Sequence, residues 1–229
     1  MGLHEEIYQQ PLVLRNLLEN QWEQVRQIAA DLKKIDFRYV FIAARGTSDN
    51  AARYAQYLWG AHNQLPIALA TPSLFSLYQQ PPSLDGALVI GVSQSGQSPD
   101  IVNVLTEGKR NGQPTLAITN AVDSPLAKTA DYVLDVQAGQ ELAVAATKTY
   151  TAQLMALAML SVAMSADDQK LSVLARVPDF VTDVLGLDAE IQTMAERYYY
   201  MQQCVVIGRG YNYSTAFEWS LKLKELTYV

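Results

Sequence analysis

The sequence predicts an α/β protein: a three-layer α/β/α sandwich on a five-stranded parallel sheet, followed by the start of a second, similar domain. Three observations carry this. Short apolar runs of strand length alternate with stretches of helical period, the pattern of βαβ units. Two of those runs end in hydroxyl-rich loops that open helices, as happens at the carboxyl edge of a doubly wound sheet. Only 17% of the 229 residues are charged while 49% are hydrophobic, a balance that suits surfaces buried in layers or at a subunit interface.

The elements follow in order. After Pro11, residues Leu14, Leu17, Leu18, Val25, Ile28, Ala29 and Leu32 fall on one helical face. The apolar run 39–44 reads as the first strand. It leads into Arg45-Gly46-Thr47-Ser48 and a helix through Leu58. Residues 67–70 form a weaker strand. The run 87–92 is followed by Ser93-Gln94-Ser95-Gly96-Gln97-Ser98, and Pro99 opens a helix to about Lys109. Strands at 115–119 and 132–136 flank a turn and a short helix at 125–130. Residues 149–166 are uncharged but contain Gln153 and Ser161, and they fall short of the ~20 mostly apolar residues of a spanning helix, so they read as a buried core helix. A helical connector covers 167–201, with breaks at Pro178 and Gly186. Cys204-Val205-Val206-Ile207 then reads as a strand, followed by Gly208-Arg209-Gly210 and a helix from about Ser214. This echoes the first strand and Ala44-Arg45-Gly46. The expected organisation is one domain over 1–200 and the first βα unit of a second over 201–229.

Composition excludes several classes. With 23 acidic against 17 basic side chains and a net charge of −6, there is no basic stripe for a nucleic acid. The single Cys204 cannot form an internal disulfide, which points to a reducing compartment, and its apolar neighbours predict a buried thiol. Glu5 and Glu6 near the start are inconsistent with a secretory signal. A cytoplasmic protein, off the membrane, is expected. No His, Cys and carboxylate spacing suggests a metal, and neither a P-loop lysine nor a G-x-G-x-x-G is present, so no cofactor is expected.

Residues 93–98 are the most informative segment. Ser93, Ser95 and Ser98, the Gln94 amide and Gly96 lie between a strand and a helix N-terminus, where free N–H groups and the helix dipole favour an anion. An ordinary Ser-capped loop fits the same residues. Thr47 and Ser48 hold the corresponding place after the first strand, where Ser48 reads as a helix N-cap. Lys148 opens an otherwise apolar helix, either as a ligand contact or as a solvated helix-end lysine. Glu218, Lys222 and Glu225 recur at i, i+4 and i+7 on one face, which suits either a base supported by an ammonium or a surface ion-pair ladder.

Together these motifs resemble the sugar isomerase (SIS) family. The matching pieces are Glu6-Ile7-Tyr8-Gln9-Gln10-Pro11, Gly46-Thr47-Ser48, residues 93–98, Ala138-Gly139-Gln140-Glu141 through Val144-Ala145-Ala146-Thr147-Lys148, Gly208-Arg209-Gly210, and Leu221-Lys222-Leu223-Lys224-Glu225. The resemblance implies the flavodoxin-like sheet of the SIS fold. It implies that Ser48, Ser93, Gln94, Ser95 and Ser98, with Thr47 beside them, hold the phosphate of a hexose 6-phosphate. The backbone around Val144 and Ala146 would face the sugar. Glu225 would move a proton between C1 and C2 in a ketose–aldose interconversion of amino-sugar metabolism, with Glu218 and Lys222 in support. Arg45, Gln97 and Ala146 stand where the family usually has cysteine, glutamate and serine. The family's ring-opening histidine and C-terminal lysine would fall past Val229, and no counterpart of its synthases' glutaminase domain is found, so glutamine-driven ammonia transfer is not expected of this chain alone. A fructosamine-6-phosphate deglycase and a phosphosugar sensor without turnover are the alternatives. Low charge and the unfinished βα unit predict a homodimer.

Overall fold

The computed structural model describes residues 2–227. Two helices open the chain, α1 (Leu3–Tyr8) and α2 (Gln10–Leu32). Next come β1 (Tyr39–Ala43), α3 (Thr47–Asn63), β2 (Ile67–Leu69), α4 (Ser73–Ser76), β3 (Ala87–Ser93), α5 (Pro99–Arg110), β4 (Thr115–Thr119), α6 (Pro125–Thr129) and β5 (Tyr132–Asp135). The remainder is helical: α7 (Lys148–Ser165), α8 (Asp168–Leu174), α9 (Val177–Leu185), α10 (Asp188–Ala195) and α11 (Tyr211–Thr227).

The five strands form one parallel sheet in the order β2-β1-β3-β4-β5. Register makes the layers. Ile42 pairs with Ile90, and Ile90 with Leu116, so side chains at alternate positions line up across the sheet. Val40, Ile42, Leu88, Ile90, Val92, Leu116 and Ile118 all point into the core shared with α2, α3 and α7. Phe41, Ala43, Val89 and Ala117 point the other way, against Ile101, Val104 and Leu105 of α5 and Leu126 of α6. Both faces are covered, which is why the strands read as continuous apolar runs.

α7 is buried on most sides: Ala152, Met155 to Leu160 and Val162 are all core residues. The Trp59 indole of α3 donates to the Leu157 carbonyl at 3.0 Å and locks the two helices together. Among the described residues no helix is long and apolar enough to cross a membrane.

Several expectations change. Residues 202–209 join no ladder, so 204–207 is not a strand here. Cys204 is exposed rather than buried, and Val205 and Ile207 are 85% and 90% exposed. A strand is completed by neighbours, and no described strand lies beside this one. The final helix starts at Tyr211, earlier than expected; the connector breaks at Gly186 as predicted, but its break near Pro178 falls at 175–176, since Pro178 occupies the first turn of α9.

Candidate functional site

The winding of the sheet reverses between β1 and β3, the place where open α/β sheets bind ligands beyond their carboxyl ends. A cavity of about 240 Å³ opens there. It is lined by Thr47 and Ser48 after β1, by Ser93, Gln94, Ser95 and Ser98 after β3, by Val144 and Ala146 ahead of α7, and by Lys222 and Glu225 of α11. Ten of the eleven residues expected from the sequence thus meet in one cavity, and Glu218 lies just behind it.

The loop after β3 is held open by its own backbone. Gly96 sits at φ +59°, its N–H donates to Ser93 Oγ at 3.2 Å, and its carbonyl accepts from Leu126 N at 3.1 Å. The Gln97 N–H donates to Ser95 Oγ at 3.3 Å. In both serines the oxygen accepts, which leaves the hydroxyl hydrogen free to donate. Ser98 occupies the N-cap of α5 but makes no side-chain cap bond, so the ordinary Ser-capped loop is not what forms. The Ser98 hydroxyl lines this opening at the amino end of α5, an arrangement suited to an anion.

Ser48 is not the N-cap of α3 either. Gly46 is, at φ 54° and ψ −128°, because only glycine adopts that backbone readily and the Asn50 N–H already bonds the Gly46 carbonyl. Ser48 lies within the first turn, buried, where its oxygen accepts from the Gln153 amide at 3.0 Å.

α11 completes the wall by lying along α3. The Arg53 guanidinium stacks on Phe217 at 4.4 Å, and Tyr54 and Tyr57 pair with Tyr211 and Tyr213. Ser214 Oγ donates to the Asn50 carbonyl at 2.6 Å. Along the same face, buried Glu218 accepts from Asn50 Nδ2 at 2.7 Å and Thr47 Oγ1 at 3.0 Å. The Lys222 ammonium reaches Glu225 at 2.8 Å, Thr47 Oγ1 at 3.0 Å and Glu218 at 3.2 Å. Its three hydrogens are therefore committed, and it fixes the Glu225 carboxylate at the cavity wall. The Thr47 hydroxyl is likewise committed, bridging Lys222 and Glu218. A surface ladder would be open to water, whereas Glu218 is only 6% exposed.

Lys148 is neither a ligand contact nor solvated. It is 2% exposed and donates to Gln9 Oε1 at 2.7 Å and the Gln140 carbonyl at 2.6 Å. Buried Glu6 lies 4.0 Å away and accepts from Leu142 N at 2.6 Å and Ala143 N at 3.1 Å. The ammonium stays inside because a paired carboxylate and two oxygen acceptors replace its water. This cluster pins the segment that presents Val144 and Ala146. Glu141 holds its far end, accepting from the Thr147 N–H at 2.6 Å.

The sequence reading missed Arg45, Thr149, Tyr150 and Gln153, which also line the cavity. Thr149 and Gln153 are spaced i, i+4 on α7, one helical face, a signal the apolar surroundings hide. Thr149 Oγ1 and Gln153 Oε1 are buried without a partner among the described residues, an unusual state for polar atoms at a cavity wall. Burial pushes the Tyr150 hydroxyl up to about 12; the Ser214 hydrogen bond pulls against this and the Glu218 charge adds to it.

Residues 35–163 match the SIS domain family. The glutamine–fructose-6-phosphate aminotransferase (isomerizing) of Aquifex aeolicus is 37% identical over 226 residues, 98% of this chain but only 38% of that protein. Among solved structures, a candidate phosphosugar isomerase of Silicibacter pomeroyi is 34% identical with a TM-score of 0.82, covering 96% of this chain and 67% of that one. The C-terminal domain of glucosamine-fructose-6-phosphate aminotransferase from Francisella tularensis is 27% identical with a TM-score of 0.83, covering 99% of this chain and 67% of that one.

Proposed function

The chain belongs to the SIS domain family, and from that premise we propose that its cavity binds a hexose 6-phosphate and moves a proton between C1 and C2 of the open-chain sugar. The observation that carries this reading is the pairing of a hydroxyl-rich anion cradle with a fixed carboxylate in one cavity. Ser93, Ser95 and Ser98 offer hydroxyl hydrogens, and α5 offers its amino end, so the phosphate is held by dipoles and is free to leave. The segment bearing Val144 and Ala146 forms the wall along the sugar.

Glu225 is the group that moves the proton. It takes one from C1 of the ketose while the C2 carbonyl oxygen gains one, giving an enediol. Return of a proton to C2, with loss of one from the C1 hydroxyl, gives the aldose. Lys222 and Glu218 are positioning residues: the ammonium orients Glu225, and buried Glu218 with Thr47 and Asn50 orients the ammonium. The echo at Gly208-Arg209-Gly210 supports residues 201–229 as the opening unit of a second such domain. The exposed apolar helices after α7 support a homodimer.

The test follows hydrogen at C1 of fructose 6-phosphate exchanging with deuterated solvent. We expect exchange with the unmutated protein and none with Glu225→Gln, which keeps the side-chain shape and the binding but cannot take the proton. Fructose 6-phosphate should also raise the melting temperature, by about 2.7 kcal/mol of stabilisation at a hundredfold excess over Kd, while fructose should not. Exchange at an unchanged rate in Glu225→Gln removes Glu225 from the chemistry. Tight binding with no exchange by the unmutated protein makes it a sensor.

A further inference from the structure

Arg45 lines the same cavity, in the loop between β1 and α3, where family resemblance leads one to expect a cysteine. Its Nη1 donates to Asp100 Oδ2 at 2.6 Å, and this is its only partner among the described residues. The arginine side chain is 67% exposed, so the pair sits in water, where such bridges add little to stability. Holding the fold together is therefore a weak reason for it.

The charge arrangement gives a stronger one. Asp100 stands in the first turn of α5, two residues after Ser98. There its carboxylate takes the favourable end of the helix dipole that a phosphate would use, and repels a dianion nearby. The other cation at the cavity, Lys222, is already matched by Glu218 and Glu225. The cradle without Arg45 would carry an acidic residue beside its helix end and no cation to offset it. The unused edge of the guanidinium has donors in a fork that fits phosphate oxygens, and it can serve a phosphate while Nη1 still holds Asp100.

We propose that Arg45 is a phosphate-binding and specificity residue: it neutralises Asp100 and brings unused guanidinium donors to an otherwise dipolar cradle, selecting dianionic phosphate esters. This rests on the hexose 6-phosphate reading above and goes further by naming a charged ligand at its edge. It follows that Arg45 and Asp100 have opposite effects on affinity and are coupled.

The experiment measures Kd for fructose 6-phosphate by titration calorimetry, with fructose and inorganic phosphate as controls, at low and moderate salt. Arg45→Met should weaken fructose 6-phosphate binding roughly 10- to 100-fold, the range for a lost hydrogen bond to a charged group. Asp100→Asn, which leaves the cation in place, should tighten it. Arg45→Met/Asp100→Asn should bind better than Arg45→Met alone, and the spread among variants should shrink as salt rises. Near-wild-type affinity in both single variants overturns the role of Arg45 while leaving the sugar phosphate reading intact. Weaker binding in Asp100→Asn overturns the repulsion argument. Equal binding of fructose and fructose 6-phosphate by the unmutated protein overturns both readings together.

Discussion

Gly96 shows how one residue shapes the cradle. At φ +59° it holds a backbone conformation that costs other residues strain, and a Cβ there would run into the Ser124 side chain and come within 3.2 Å of Thr119 Oγ1. Ser124 cannot easily give way, because its own hydroxyl caps α6 by accepting from Ala127 N at 3.3 Å. Gly96→Ala should therefore cost about 1–3 kcal/mol of stability in urea denaturation and displace the Ser93 and Ser95 hydroxyls together. Fructose 6-phosphate affinity should fall with it. Unchanged stability and affinity would mean that the loop relaxes at no cost and that its shape is not set by this residue. At this scale the cradle was legible in the sequence: hydroxyls, glycine and Pro99 in one short segment mark a strand-to-helix junction. What could not be read is which oxygen bonds where. Ser48 looks like a cap and is not, because Gly46 takes that place, and Gln153 belongs to the site only because α7 passes beneath Ser48.

Among the elements, α7 links core to site. Its body is apolar and buried, as the uncharged run 149–166 predicts, while its amino end is fastened by partners more than a hundred residues away in sequence. Lys148 and Glu6 are 3% and 0% exposed at their side chains, and nothing local in either segment announces the other. That is why the lysine was misread. Removing one partner of a buried pair leaves an uncompensated charge, so Lys148→Met should lose about 3–5 kcal/mol. Because Glu6 holds Leu142 N and Ala143 N, the same variant should exchange those two amide hydrogens faster. Unchanged protection at both would show that Glu6 holds the segment without help from Lys148. The run 204–207 failed for the complementary reason. Apolar β-formers propose a strand, but a strand forms only where backbone groups find a neighbour. The five real strands have theirs in register, and this one has none.

For the whole molecule, the question is what covers the helices after α7. Phe180, Val184, Leu187, Ile191 and Met194 are between 42% and 58% exposed, and Tyr199 and Tyr200 exceed 80%. Scattered exposed apolar residues are ordinary, but here they follow one another along α9, α10 and the turn beyond, and Trp219 and Leu226 of α11 are 59% and 50% exposed as well. A sequence with 17% charged residues has few groups with which to keep such a surface wet. The cavity borrows Lys222 and Glu225 from α11, so any contact that steadies α11 also steadies the site. A homodimer burying these helices would do both. Light scattering at micromolar concentration should return twice the mass of 25.3 kDa. Ile191→Glu with Met194→Glu should bring it down to one chain, because two carboxylates cannot be buried there unpaired, and should weaken fructose 6-phosphate binding through a looser α11. A single-chain mass for the unmutated protein would rule the dimer out, and a dimer that withstands both glutamates would place its interface on another face.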